Sequence, residues 1–305
     1  MTTSYSIKKT KADVAHRFCI HGGNGVGKTT LAAGSPSPVF ITAEDGLINI
    51  DGKAIDPAPR TWEEVLGAVE YVRDESGAKT LVLDSLDWIE PMCWDHVVRQ
   101  ARSPKISKIE DFGYGKGYIA AIDEWRVLIR SLGTLRLKGI NVIAIAHSIA
   151  KVFKNPEGDD YDRWQMKLHV QAAALWSEWV DVLGFAQVET STYEQNNRVK
   201  GLSTGRRVLR TDKTAAFEAK SRYAMPRSIA LDWATLEKHV RGGDKDEVVR
   251  LQMLFEDKVI ELGDLAVEAN ARNYLGSRGI TVPTLTEAIE VLNQKLAAKA
   301  TGAKT

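Results

Sequence analysis

The chain has 305 residues, of which 44% are hydrophobic and 27% are charged, and its formal net charge is +1. This composition excludes a disordered or low-complexity polypeptide, and the spacing of Cys19 and Cys93 suggests neither a metal site nor a disulfide framework. The longest apolar run, residues 140–146, is too short to span a bilayer, and residues 1–17 are polar and basic. We therefore expect a cytoplasmic globular protein that makes no membrane contact.

Residues 17–33 predict a strand, a glycine-rich loop and a helix. The loop fits the pattern G-x-x-x-x-G-K-[ST], and its residues are Gly22, Gly23, Asn24, Gly25, Val26, Gly27, Lys28 and Thr29. The glycines allow successive backbone N–H groups to point at one phosphate. We predict that this loop and Thr30 bind nucleotide phosphates, that Lys28 reaches the β and γ phosphates, and that the Thr29 hydroxyl holds Mg²⁺.

Two further apolar strands, residues 38–42 and 79–83, are followed by acidic residues. Asp84 is predicted to hold Mg²⁺ through water. Hydrolysis also needs a carboxylate that orients or deprotonates the attacking water, and Glu44 is the candidate, with Asp45 as its neighbour. For each carboxylate, an ordinary turn residue is the alternative.

Residues 61–147 continue the alternation of helices and strands. Thr61 and Glu64 have the spacing of a capping box, and residues 116–138 place apolar side chains at helical spacing. An apolar strand over 140–146 ends at His147, which is a candidate sensor of the γ-phosphate. A strand-end histidine with a structural hydrogen bond is the alternative. The alternation predicts an α/β fold with a mostly parallel, twisted sheet and a ligand site at its carboxyl edge.

The following segment predicts a polar loop over 148–168, a helix over 170–179 and a strand over 180–188. Residues 198–202 and 206–211 predict a β-hairpin whose turn is Ser203-Thr204-Gly205.

The last part of the chain predicts a small helical domain. Gly242 and Gly243 form a candidate hinge, and three short amphipathic helices follow over 247–262, 265–275 and 286–296. We expect residues 1–240 to form the α/β core and residues 241–305 to form the helical domain.

The order of GNGVGKTT, VFITAEDG, TLVLDS and NVIAIAHS resembles the RecA-like P-loop ATPases over about residues 15–225. GRRVLRT and FEAKSRYAMP are similar, more narrowly, to the phage Sak-type single-strand annealing ATPases. The resemblance implies ATP hydrolysis with Mg²⁺ and a water-activating glutamate after the second strand, which is Glu44 here. The family commonly has Gln at the position of His147, and this sequence departs from that pattern. A phage protein of this kind acts in the cytoplasm of the host cell.

In RecA-like filaments, two segments touch single-stranded DNA, and they correspond here to residues 99–117 and 148–168. Cations that bind phosphates and rings that stack on bases suit an unpaired strand. The resemblance therefore implies DNA contacts by Arg99, Arg102, Lys105 and Lys108 in the first segment and by Lys151 and Lys154 in the second. The second segment carries as many acidic as basic residues. A solvated charged surface is the alternative for both segments.

Lys220 and Arg222 fit a K-x-R pair that RecA-like hexameric ATPases project into the nucleotide site of a neighbouring subunit. An arginine supplied across an interface stabilises the charge that develops during phosphoryl transfer. A surface basic cluster is the alternative.

These features together predict an ATPase that uses ATP and Mg²⁺, is stimulated by single-stranded DNA, and acts in phage recombination or annealing. The predicted partners are single-stranded DNA, further copies of the chain in a ring or filament, and a single-strand-binding protein. Two alternatives stay open: a nucleotide-dependent scaffold or helicase loader, and a small-molecule kinase. The kinase requires an arginine-rich lid, and no separate lid is evident in the sequence.

Overall fold

The computed structural model describes residues 15–44, 50, 52–195, 198–241 and 245–300. The fold is of the predicted α/β class, with a mostly parallel central sheet flanked by helices. The chain divides into two compact units, one made of Met1–Arg17 and Pro36–Ala144, the other of Phe18–Ser35 and Ile145–Thr305. Each unit therefore combines segments that are distant in the sequence.

The strands in chain order are β1 (Arg17–Gly22), β2 (Pro38–Thr42), β3 (Lys53–Ala54), β4 (Thr80–Asp84), β5 (Asn141–Phe153), β6 (Tyr161–Met166), β7 (Val182–Gln195), β8 (Arg198–Arg210), β9 (Lys220–Ser221) and β10 (Ser228–Ala230). The α-helices are α1 (Lys28–Ala33), α2 (Trp62–Asp74), α3 (Leu86–Gln100), α4 (Lys116–Leu137), α5 (Val170–Trp179), α6 (Trp233–Val240), α7 (Lys245–Leu262), α8 (Leu265–Arg278) and α9 (Val282–Ala300). A 3₁₀-helix spans Ile109–Phe112.

In the first unit, β2 pairs in parallel with both β4 and β3. Every residue of β4 is buried, as expected for a parallel strand covered on both faces. Helix α2 begins at the capping box of Thr61 and Glu64, which confirms that prediction. Trp62 of α2 and Trp125 of α4 are fully buried, and their rings meet edge to face at 5.2 Å. This contact fixes two helices against each other.

In the second unit, β1 pairs in parallel with β7, so that Phe18 lies opposite Val182 and Gly22 lies opposite Ala186. Strand β7 pairs in antiparallel fashion with β8, and β8 with β10. The short strand β9 pairs with the beginning of β7. The outer part of β5 pairs with β6 in an antiparallel hairpin. The strand that precedes the glycine-rich loop is therefore held along its length by β7.

Two predictions about the second unit are wrong. Residues 198–210 form the single strand β8, whose antiparallel partner is β7, instead of two strands joined by a turn. Gly205 has a φ of +72°, and the register of the β7–β8 ladder shifts between Val188 and Thr190. Glycine therefore marks a bulge inside a continuous strand here. The predicted polar loop over 148–168 is largely the β5–β6 hairpin, because β5 continues past His147 to Phe153.

Helices α7, α8 and α9 share an apolar cluster of their own, in which Phe255 and Leu292 are among the most buried residues. Gly242 and Gly243 lie outside the described residues, so the hinge and the division at residue 240 stay predictions. None of the helices within the described ranges is both long enough and apolar enough to cross a membrane.

Candidate nucleotide-binding site

The predicted phosphate-binding loop connects β1 to α1. Gly25 and Gly27 have φ angles of +70° and +107°, which side-chain-bearing residues rarely adopt. A Cβ added to Gly23 or Gly25 would meet no atom within 4 Å, so the outer wall of the loop is open. The loop thus has the sharp curvature and the free backbone surface that a phosphate group requires.

The side chain of Lys28 folds back over this loop. It is 5% exposed, and its Nζ donates hydrogen bonds to the carbonyl oxygens of Gly22 and Gly23 at 3.0 and 2.9 Å. A buried ammonium is costly unless it is hydrogen-bonded, and a phosphate oxygen is a stronger acceptor than a neutral carbonyl. Lys28 is therefore placed to exchange these carbonyls for the phosphates of a nucleotide.

The first glycine of the loop is required by strand packing. A Cβ on Gly22 would lie 2.3 Å from the carbonyl oxygen of Ala186 on β7. Since that atom belongs to the backbone of a paired strand, it cannot move away without disturbing the sheet. Gly22 therefore positions the start of the loop against β7.

In the first unit, the predicted acidic residues lie at the end of two paired strands. Thr42 lies opposite Asp84, and the N–H of Ala43 donates to the Asp84 carbonyl at 2.9 Å. The chain that leaves β2 therefore brings Glu44, which is half-buried, to the same edge as the buried Asp84. Asp45 lies outside the described residues. Two carboxylates at the carboxyl edge of parallel strands suit a metal-linked hydrolytic reaction.

The donor set suits a magnesium ion that binds together with a nucleotide. Across the described parts of the chain, no group of three or more His, Cys, Asp or Glu side chains could hold a metal ion. Mg²⁺ commonly takes one or two protein oxygens and completes its shell with water and substrate phosphates. Thr29 is half-buried at the start of α1 and Asp84 is buried at the end of β4. Their role as the two protein ligands stays a prediction.

His21, which directly precedes Gly22, is a residue that the sequence predictions missed. It is fully buried; its Nδ1 lies 2.9 Å from the Ser148 hydroxyl and its Nε2 lies 2.8 Å from the Glu218 carbonyl oxygen. Because a carbonyl only accepts, Nε2 carries the proton and Nδ1 accepts from Ser148. Burial is the main cause that lowers the pKa of His21 to about 4. The only signal in the sequence is a histidine inside an apolar strand.

His147 lies within β5, at the residue where the strand changes from buried to partly exposed. Its carbonyl oxygen accepts a hydrogen bond from the N–H of Lys167 at 2.8 Å. The predicted role as a γ-phosphate sensor stays a prediction.

Lys220 and Arg222 converge on the end of α5. The Nζ of Lys220 and one guanidinium nitrogen of Arg222 both donate to the carbonyl oxygen of Glu178, at 3.2 and 2.9 Å. Arg222 also binds the carboxylate of Asp181 at 3.0 Å, and that carboxylate is only 3% exposed. The orphan carbonyls at the C-terminus of a helix favour cations, so this is a stable resting place for the pair.

The first predicted DNA segment is largely exposed. Arg99 is bound to Glu63 at 2.9 Å, whereas Arg102, Lys105 and Lys108 are exposed. Tyr114, between the 3₁₀-helix and α4, has its entire side-chain surface in solvent. This segment therefore presents exposed cations and the exposed ring of Tyr114, together with the exposed carboxylates of Glu110 and Asp111.

In the second predicted DNA segment, Lys151 is exposed on β5 of the hairpin. Lys154, near the tip, forms an ion pair with Asp160. The acidic residues of the hairpin therefore neutralise one of the two predicted lysines.

Comparison with protein families adds a finding about the whole region. The family model described as AAA domain matches residues 15–223, more than half of the chain. The chain belongs to the AAA domain family. An AAA domain is a P-loop ATPase-type domain, so nucleotide binding and ATPase activity are the functions that the family indicates. The matched region of this AAA domain contains the phosphate loop, Glu44, Asp84 and the Lys220–Arg222 pair. The chain has no match among curated proteins.

We expect Gly22→Ala to lower the free energy of unfolding by about 1–3 kcal/mol, because the new methyl group would clash with the β7 backbone. Gly23→Ala is the matched control, since its methyl group meets open space and should change stability by less than about 0.5 kcal/mol. Chemical denaturation of the nucleotide-free protein measures both values. Equal midpoints for the two variants would contradict the packing role of Gly22.

The buried neutral state of His21 predicts a pH dependence of stability. Between pH 6.5 and 4 the unfolded chain protonates this residue and the folded chain does not, so stability falls as the pH is lowered through this window. The slope from this one group approaches about 1.4 kcal/mol per pH unit. His21→Gln keeps an N–H donor but does not titrate, so this contribution to the pH dependence of the unfolding free energy should be missing in that variant. Denaturation at several pH values measures it, and parallel curves for the two proteins would rule it out.

Proposed function

We propose that this chain is a RecA-like ATPase that uses ATP and Mg²⁺, assembles with copies of itself and binds single-stranded DNA in phage recombination or annealing, as its similarity to the Sak-type proteins implies. The observation that carries the proposal is the pair of hydrogen bonds made by His21. These bonds join the residue before the phosphate loop to the base of the hairpin and to the segment that leads to Lys220. A change in the loop therefore has a direct route to both.

The same hydrogen-bonded segment is connected to a partly exposed aromatic side chain, Trp164. The N–H of Glu218 donates to the carbonyl oxygen of Trp164 on β6 at 3.3 Å. Trp164 is 43% exposed, and its ring is stacked on Phe185, which is itself stacked on Phe217. A partly exposed indole on a rigid aromatic support suits a base of an unpaired strand, and such stacking contributes about 1–3 kcal/mol per base.

The open end of the hairpin offers further contacts. A cavity of about 480 Å³ lies between the hairpin and residues 213–215. Its wall includes Phe153, Tyr161, Arg163 and Lys213. Arg163 lies 5.0 Å from the centre of the Phe153 ring, and Lys213 is exposed. Glu157 also lines this groove, and Arg163 pairs with Glu218 at 3.7 Å, so the exposed cation is Lys213. The rings and this cation match the chemistry of a single strand better than that of a duplex, whose bases are covered. The exposed Arg102, Lys105, Lys108 and Tyr114 of the first unit offer the same chemistry.

The proposed reaction divides the roles among the predicted residues. The phosphate loop and Lys28 bind the triphosphate, and Thr29 and Asp84 hold Mg²⁺, which neutralises the charge on the transferred group. Glu44 orients or deprotonates the attacking water. His147 senses the γ-phosphate, and Lys220 and Arg222 of a neighbouring copy complete the site. Arg222 would have to leave Asp181 for this, so assembly and activation are linked.

ATPase assays with and without single-stranded DNA test the proposal. Turnover should rise strongly with single-stranded DNA and only weakly with duplex DNA at the same salt concentration. Glu44→Gln should bind ATP with unchanged affinity and lose turnover by about 10²–10⁴-fold, because only the general base is removed. Binding without turnover would favour the scaffold or helicase loader, and phosphate transfer to a small acceptor would favour the kinase. Full hydrolysis by Glu44→Gln would remove this residue from the mechanism.

A test of Arg222 requires a control variant for Asp181, its buried ion-pair partner. Arg222→Ala should reduce turnover by about 10³–10⁵-fold if the residue acts across an interface. It should also destabilise the fold, since Asp181 would be left as an unpaired buried carboxylate. Arg222→Ala/Asp181→Asn removes both charges and should recover stability but not turnover.

Mixing separates action in the same subunit from action in a neighbour. A mixture of the Arg222→Ala protein with the Lys28→Ala protein should regain part of the ATPase activity. The Lys28→Ala subunit still has its own Arg222 and can supply it to the intact nucleotide site of an Arg222→Ala neighbour. Mixtures as inactive as their components, at concentrations where the wild type is assembled, would argue against a residue supplied across an interface.

A further inference from the structure

Arg207 of β8 lies against the phosphate loop. A Cβ placed on Gly27 would be 3.2 Å from the Nη1 atom of Arg207 and 3.7 Å from its Cδ. Gly27 is the glycine directly before Lys28, at the point where the loop turns into α1. The guanidinium therefore lies directly against the phosphate loop at Gly27.

The register of the strands explains how Arg207 reaches this place. Gly22, the last residue of β1, lies opposite Ala186, which in turn lies opposite Leu209. Arg207 is two residues farther along the ladder, opposite Val188, so it lies about 7 Å beyond the end of β1, on the side of the loop. The Leu231 N–H donates to the Arg207 carbonyl at 3.2 Å, which fixes the backbone at this point.

In the described part of the chain, Arg207 differs from Arg206 and Arg210 in having no acidic partner. Arg206 and Arg210 both bind Glu189, at 3.0 and 3.7 Å. Among the described residues, no carboxylate pairs with the guanidinium of Arg207, and the residue is exposed. Successive residues of a strand point to opposite faces, which separates Arg206 from Arg207. One of two adjacent arginines is thus neutralised, while the other lies on the loop.

We propose that Arg207 is a nucleotide-binding residue that contacts the α and β phosphates of the nucleotide in its own subunit. This inference rests on the proposed nucleotide binding and adds a residue outside the phosphate-loop motif. Backbone N–H groups of a phosphate loop surround the α and β phosphates, while the loop lysine reaches the β and γ phosphates. A guanidinium beside Gly27 is on the α and β side. Arg207 therefore binds the diphosphate and the triphosphate alike, unlike a finger that acts on the transferred group.

The test compares three variants of the full chain: Arg207→Ala, Arg207→Lys and Arg206→Ala. Calorimetry or a fluorescent nucleotide gives the dissociation constants for MgADP and for the Mg²⁺ complex of a slowly hydrolysed ATP analogue. Arg207→Ala should weaken both by about 10- to 100-fold, because a charge-assisted hydrogen bond is lost. Arg207→Lys should recover part of the affinity. Arg206→Ala, the same change of charge at the neighbouring residue, should alter affinity by less than about 2-fold.

The outcomes distinguish this inference from the proposed function. If the wild-type protein binds neither nucleotide, the proposed function fails and the inference fails with it. If the wild type binds both nucleotides and Arg207→Ala behaves like Arg206→Ala, only the role of Arg207 is overturned. A loss confined to the ATP analogue would also overturn it, because the contact would then be with the γ-phosphate. Thermal denaturation shows whether each variant is folded. If Arg207→Ala is not folded, the affinity of Arg207→Lys decides the test.

Discussion

The parallel pairing of β1 with β7 is the constraint on which the proposed site depends. It brings Gly22 so close to the Ala186 carbonyl that no side chain fits, and it thereby fixes where the phosphate loop starts. The same ladder continues through β8 and sets Arg207 beyond the end of β1, beside Gly27. His21, one residue before the loop, is buried by the same packing and meets Ser148 and Glu218. One pairing thus places the loop, a cation and a link to the hairpin.

The cations of the second unit differ in the hydrogen bonds and ion pairs that each must break in order to bind a ligand. Lys28 donates hydrogen bonds to the neutral carbonyl oxygens of Gly22 and Gly23, and a phosphate oxygen would be a stronger acceptor than either. Arg222 is paired with a buried carboxylate, so its release exposes an uncompensated charge and requires a substitute interaction. Arg207 has no carboxylate partner among the residues that the structure describes. In the proposed function, a nucleotide therefore engages Lys28 and Arg207 directly, whereas recruitment of Arg222 requires the additional free energy of assembly.

The sequence predicted those parts of the fold in which local pattern and tertiary structure agree. Strand β2, helix α5 and the capping box of Thr61 are confirmed, because apolar spacing and a polar cap specify them locally. Helix α3 was not predicted, since Pro91 interrupts its helical pattern. Residues 198–211 were wrongly predicted to form a hairpin, because Gly205 is equally suited to a turn and to a bulge. Only the pairing partner, here β7, decides between them. The contacts of His21 and Arg207 were missed for a similar reason: they are made with residues that are distant in the sequence.

The bulge at Gly205 separates two parts of the β7–β8 ladder that are held in different ways. On its inner side, β8 is fixed between β7 and β10, where Val208 lies opposite Ala230. On its outer side, residues 190–195 and 198–203 pair only with each other within the described structure. Since a bulge absorbs an extra residue locally, insertions or deletions in the outer ribbon leave the inner register unchanged. The pairing that positions the phosphate loop therefore places no constraint on the length of this ribbon.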